Sequence, residues 1–249
     1  MSFNTKVRLF QIFVQVMGIY SLYYLFSTDN YYWLWVTLPA YILIGPVSIG
    51  LTLHRLLTHK TFKTYNWLEN VLSFLTVYCT LGPSVTWVGL HRYHHANSDT
   101  ELDPHSPKHG AFKAWTGYGW RIPQIPLAYV KDMMKKPLHK FMLNHYFKIL
   151  IISILVLTII NPVLVLFVYF LPCALAFHGV NMINVLGHMH GYRNFDTDDQ
   201  STNSWITHIL TWEGLHNNHH KYPGSWNNQV KWWELDPLSW IVRLIRNEK

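Results

Sequence analysis

Charge is what this sequence has least of. Asp, Glu, Lys and Arg make up 13% of its 249 residues, about half the roughly 25% usual for a soluble domain. With 50% hydrophobic and 16% aromatic residues, that scarcity excludes a disordered, solvated chain and points to one that faces lipid. Cysteine is nearly absent. Cys79 and Cys173 both sit inside apolar runs without CxxC spacing, which argues against a disulfide framework or a thiol site and makes them core residues. A Pro/Gly/Ser-rich linker, a low-complexity tract and a long internal repeat are all missing, so residues 1–249 read as one domain. The net charge of +7 raises the question of nucleic acid, yet the Lys and Arg are scattered and form no basic recognition motif. Nucleic acid is not an expected partner.

Long apolar runs, by contrast, are plentiful. Four occur, at about residues 9–26, 33–53, 141–160 and 163–186, each close to the roughly 20 residues of a spanning helix. The third is densest from Phe147 onward, and a start near Phe141 requires Lys148 to snorkel toward the headgroups. The turns after the first and third runs, Ser27 to Tyr32 and Ile160 to Pro162, contain none of the 20 Lys and Arg. The positive-inside rule then places both termini in the cytoplasm, together with residues 54–140 and 187–249. No small-residue cleavage site follows the first run, which reads as a retained helix. The expected architecture is all-α: an integral membrane protein of four transmembrane helices in two hairpins, under a cytoplasmic helical cap. Two surface segments are expected besides. Leu68 to Leu81 is apolar but too short to span, and Asp236 with Pro237 opens an amphipathic helix whose Leu238, Ile241, Val242 and Ile245 share one face.

Histidine is crowded. HRYHH begins at His91 and HNNHH at His216, so His91, His94 and His95 on the one hand, and His216, His219 and His220 on the other, project from single helix faces. HRLLTH adds His54 and His59 where the second run reaches the cytoplasm. Eight of 16 histidines fall in these boxes. Eight imidazoles buried together without partners are costly, and protonated they repel. Bound cations remove both difficulties. Each ring gives one nitrogen to a metal and its other N–H to an acceptor, with Asp99, Asp103 and Glu213 nearby in sequence. A tetrahedral zinc takes four ligands, so eight imply two metals. Asn184 and His188 lie one helical turn apart at the end of the fourth run, as a further ligand and a water-holding amide. His178 and Asn181 continue that polar stripe into the membrane as lesser candidates. His105, His109, His139, His145, His190 and His208 have no ligand partner at suitable spacing and read as structural or solvated.

Four segments, HRLLTHKTFK, WVGLHRYHHANSDTELDPHS, NVLGHMHGYRNFD and EGLHNNHHKYP, are similar to the membrane fatty acyl desaturases. The NxxxH and GYR elements resemble the delta-9 branch, which includes stearoyl-CoA desaturase and the cyanobacterial acyl-lipid enzymes. The resemblance implies two Fe2+ ions held by His54, His59, His91, His94, His95, His188, His216, His219 and His220, with Asn184 holding a metal-bound water. It implies O2-dependent insertion of a cis double bond into a long saturated acyl chain. Two electrons come from an external donor, ferredoxin or cytochrome b5, since no donor module is attached. Animal acyl-CoA enzymes carry Arg-Asp where this chain has Gly89-Leu90. Glycine cannot grip a CoA headgroup as arginine does, so acyl groups esterified in membrane lipid are favoured over acyl-CoA. The same box pattern serves hydroxylases and ketolases, and a metal transporter is a third reading, disfavoured because the boxes lie at the cytoplasmic ends of the helices. If the second helix is regular, Gly50, Val47 and Leu43 recur below His54 on one face and line an acyl tunnel, with Leu53 off that face.

Overall fold

The computed structural model describes residues 1–116 and 123–247. Among them the only β structure is three isolated bridges, Thr64–Arg246, Tyr192–Asn203 and Asn203–Leu215; everything regular is helical. Four helices are long and apolar enough to cross a membrane: α1 (Phe3–Thr28), α2 (Tyr31–His59), α6 (Pro137–Ile160) and α7 (Leu166–Leu186). This is a multi-pass membrane protein. The first three expected runs sit inside these helices, with α2 running on to His59 and α6 starting earlier, at Pro137, while the fourth, expected from Val163, starts three residues later, with α7 at Leu166.

Helix α1 starts where the Ser2 hydroxyl accepts from the backbone N of Thr5, satisfying one orphan donor of the first turn. It buries Val14 and Gly18 and leaves Ile19, Tyr23 and Phe26 exposed. A Cβ on Gly18 would lie 2.6 Å from the Cβ of Ala174. Small residues therefore set how closely α1 and α7 approach, as they do where lipid removes any hydrophobic drive between helices. Helix α6 is the least buried of the four, with Ile152, Ile159 and Ile160 exposed.

Helix α2 departs from regularity. From Leu43 to His59 it is wound as a π-helix, and the hydroxyls of Thr52 and Thr58 donate five residues back, to the carbonyls of Val47 and Leu53. The i→i+5 winding is wider than 3.6 residues per turn. It changes which residues share a face. The face below His54 is Gly50, Ile49, Gly45 and Tyr41, while Val47 packs into the core, Leu43 is 43% exposed and Leu53 is buried. The expected ruler of Leu43 and Val47 is overturned, and only Gly50 remains of it.

Helices α3 (Asn66–Leu75) and α4 (Ser84–Asn97) meet at an 85° bend. Gly82 takes φ +89° there, a conformation open mainly to glycine, and Pro83 stands before the first turn of α4. The turn aims α4, with its HRYHH, across the end of α2. After α5 (Ala111–Thr116) and the two later spans come α8 (Trp205–Thr211), α9 (His216–Lys221) and α10 (Pro237–Ile245). In α10 the Asp236 carboxylate caps Ser239, and Leu238 and Val242 are fully buried, a gain of about 1.5–3 kcal/mol for each side chain. That face meets α2: a Cβ on Gly50 would lie 2.8 Å from Leu238 Cδ1. Trp240 and Leu244 on the other face are exposed.

Candidate metal centre

The three boxes converge. The C-terminal end of α2 brings His54 and His59, α4 brings His91, His94 and His95, and α9 brings His216, His219 and His220. His188 arrives on the turn after α7, which ends at Leu186, so it stands past the helix and not on it as expected. The nine rings sort into two groups. His54, His59, His91, His95 and His219 hold ligand atoms within 4.8 Å of one another, and so do His94, His188, His216 and His220. Each of the last two boxes serves both groups, since α4 turns His94 away from His91 and His95, and α9 turns His219 away from His216 and His220.

These nitrogens fit metal ions and fit hydrogen bonds poorly. His219 Nε2 lies 2.9 Å from His54 Nε2 and 3.1 Å from His95 Nε2, yet an imidazole nitrogen has one in-plane proton or one lone pair. It cannot serve both neighbours. The buried Nε2 atoms of His59 and His220 have no hydrogen-bond partner at all. His188 and His216 face each other through Nε2 atoms 3.0 Å apart. Adjacent ligands on an ion with bonds of about 2.0–2.1 Å are separated by about this much. Burial and the neighbouring rings hold His216 and His219 well below the ordinary imidazole range, and burial brings His220 to about 4 despite its bond to Asp199. These three rings are therefore neutral at physiological pH, the form that binds a metal.

Carboxylates fix the far nitrogens. Nδ1 of His94 is 2.8 Å from Asp103, that of His188 2.9 Å from Asp99, that of His220 2.5 Å from Asp199, and that of His54 3.2 Å from Glu213. Each contact turns Nε2 toward its group. Asp103 stays ionised: burial favours the acid, but the hydrogen bonds it accepts from His94 and from the backbone N of His105 and Asp99 hold it at about 2. Asp99, Asp103 and Glu213 meet the expectation drawn from their proximity in sequence. Asp199 was not foreseen, although NFDTDDQ crowds three acids into a chain with only 13.

Short helix α9 cannot hold its own position, and its two asparagines do so. Asn217 accepts from the backbone N of Asn194 and Phe195 and donates to Phe195 O. Asn218 accepts from Asn194 and Asn203 and donates to Asn228 O and Glu234. Next to His54 on α2, the buried Arg55 joins Glu213 and Asp236, tying the third box, the first box and α10 together.

Below the rings lies a cavity whose lining is predominantly apolar, as the sites of apolar ligands are. His54, His91 and His216 form its upper end, Ile49, Gly45 and Val180 its walls, and Tyr41, hydrogen-bonded to Leu210 O, stands at its lower end. Asn181 and Asn184 also line it. His178 belongs to neither ring group and accepts from Trp115 Nε1. His105, expected to be structural or solvated, is buried 5.6 Å from the His94 ring and lines the cavity. His139 bonds Ser84 and His208 bonds Leu235 O, both away from the two groups.

The sequence model of the fatty acid desaturases matches residues 32–248. The chain belongs to the fatty acid desaturase family. It is 35% identical over 227 residues to the sn-1 stearoyl-lipid 9-desaturase of Anabaena variabilis, covering 87% of this chain and 82% of that one. With the sn-2 palmitoyl-lipid 9-desaturase of Nostoc sp. (strain 36) it shares 33% over 247 residues, 94% and 86% of the two chains. With the acyl-CoA C20 Delta5-desaturase of Anemone leveillei it shares 31% over 230 residues, 89% and 74%. This desaturase is therefore an oxidoreductase acting on fatty acyl chains, built around a histidine-lined metal site.

Proposed function

We propose that this desaturase inserts a cis double bond at the delta-9 position of a long saturated acyl chain esterified in membrane lipid. It uses O2 and two electrons from a separate donor, ferredoxin or cytochrome b5. The whole chain, 1–249, acts as one domain with both termini in the cytoplasm, two membrane hairpins and a cytoplasmic cap. His54, His59, His91, His95 and His219 hold one iron; His94, His188, His216 and His220 hold the other, with Asn184 holding a water beside it. The observation that carries this reading is the apolar cavity that begins at His54, His91 and His216 and runs down to Tyr41.

Two irons held by these rings would supply, with O2, the oxidising power needed to remove hydrogen from two neighbouring methylenes. The protein supplies position. Its carboxylates fix the rings, and its apolar walls align the chain and keep water from the reacting carbons, where a misplacement of about 1 Å is costly. Asn184 on the cavity wall brings an amide within a turn of His188. Ester-linked lipid is favoured over acyl-CoA by Gly89, whose Cβ would lie 2.7 Å from Val130 and 3.2 Å from Ile125; Leu90 beside it is buried. No cation points outward from this stretch to hold a CoA phosphate.

The test is to express the chain and resolve its products by gas chromatography, then to give the purified, iron-loaded protein, with O2 and a reduced ferredoxin or cytochrome b5, stearoyl groups as lipid or as CoA thioester. A delta-9 monoene formed from the lipid is expected. Hydroxylated product overturns desaturation as the main reaction, and turnover of the thioester alone overturns the choice of substrate.

A further inference from the structure

The two ring groups differ in the charge that stands behind them. In the four-ring group three rings are backed by carboxylates: His94 by Asp103, His188 by Asp99 and His220 by Asp199. In the five-ring group one is, His54 by Glu213. Among the described residues no other ring of the nine has a carboxylate within ion-pair distance.

The quality of the charge differs too. Glu213 shares its two oxygens with the guanidinium of Arg55, so part of its field is already neutralised. The three aspartates are held by neutral donors. Asp99 accepts from Gln200 N and Ser106 Oγ, Asp103 from the backbone N of Asp99 and His105, and Asp199 from Ser201 N and Oγ. Among the described residues none of the three carboxylates is paired with Lys or Arg, although Lys108 and Arg193 donate to the backbone carbonyls of Asp99 and Asp199.

A fifth imidazole adds a bond but no charge. A carboxylate hydrogen-bonded to a ligand ring makes that ring a stronger donor and adds a negative field, both of which favour a trivalent over a divalent ion. Resting on the two-iron reading above, we infer that the centre is electrically lopsided: the four-ring group keeps its iron oxidised longer, and the first electron delivered resides on the iron of the five-ring group. The step is Fe3+ plus one electron giving Fe2+, the electron coming from a one-electron reductant, with no bond made or broken. A partner that changes relative affinity by about tenfold shifts a one-electron potential by about 59 mV, so two additional carboxylates separate the couples by about 120 mV or more.

Asp99→Asn is the suitable variant. Its Oδ can still accept from His188 and Gln200, its Nδ2 can donate to Ser106 Oγ, and asparagine tolerates the φ of 58° at this position. The experiment is a potentiometric titration of 57Fe-loaded protein in detergent, followed by Mössbauer spectroscopy. Two couples are expected, with one ferric and one ferrous ion at half reduction, and Asp99→Asn should raise the lower couple by about 59 mV or more while the upper stays. If the variant loses iron, the lower couple must be the one that vanishes. Both irons reducing at one potential, or a variant that moves or removes the upper couple, overturns the inference. Wild-type protein that binds fewer than two irons instead contradicts the two-iron reading on which it rests.

Discussion

Gly45→Leu should shorten the acyl chain this desaturase accepts. A Cβ at residue 45 would lie 3.6 Å from the Ala176 Cβ and from the Tyr41 ring, ordinary contact that leaves α2 and α7 in place. The rest of the leucine then stands in the lower cavity. Each methylene denied its buried position costs about 0.8 kcal/mol, so a substrate two carbons too long loses about 1.6 kcal/mol, roughly 15-fold in preference. The assay is the ratio of palmitoyl to stearoyl products by gas chromatography from cells expressing the variant. Leu43→Trp is the control, because that side chain is exposed on the outer surface of α2 and lines no part of the cavity. An active Gly45→Leu enzyme with an unaltered ratio, or a Leu43→Trp enzyme with a shifted one, would refute the π-wound face as the wall of the acyl site.

His94→Ala and His219→Ala, one from each ring group, should abolish desaturation while membrane insertion persists; His139→Ala, which loses a buried bond to Ser84, should cost about 1–3 kcal/mol of stability yet keep its activity per folded molecule, and an active His94→Ala enzyme would remove that ring from the centre. Burial lowers the His220 pKa from 6.5 to about 4, so between those values the unfolded chain takes up a proton that the folded chain refuses. The metal-free protein should therefore have its full stability above about pH 6.5 and lose up to about 3 kcal/mol from this ring alone as pH falls to about 4; a melting temperature that stays flat through that window would contradict the burial of neutral rings. Arg55→Met strands Glu213 and Asp236 as buried, uncompensated carboxylates and should cost about 3–5 kcal/mol, read as a lower melting temperature in detergent, and a variant as stable as the parent would mean that this ion triad does not tie α2 to α10.

Much of this was legible in the sequence because its signals are local. Apolar runs of about the right length gave the spans, and i, i+3, i+4 spacing gave the shared faces of His91, His94 and His95. How the boxes divide between two ring groups was not legible, since it depends on the angle at which α4 and α9 cross the end of α2. The π-winding escaped as well. Gly45, Pro46 and Gly50 disfavour a regular helix over LIGPVSIGLTLHRLLTH but do not say how it rewinds; the i→i+5 turn shows in the backbone and in the carbonyls that Thr52 and Thr58 reach. Asp199 lies 21 positions before His220, and chain folding, not spacing, makes them partners. His105 was set aside for want of a neighbour at ligand spacing, but the loop after α4 folds it back under His94.

The account rests most directly on two irons held by nine rings, and elemental analysis of active, purified desaturase tests it. Two irons per chain are expected, falling toward one in a His54→Ala, His59→Ala double variant, which leaves three rings in the five-ring group, and toward one in His188→Ala, which leaves three in the four-ring group. Full activity with a single iron per chain in the unaltered protein would contradict the dimetal centre.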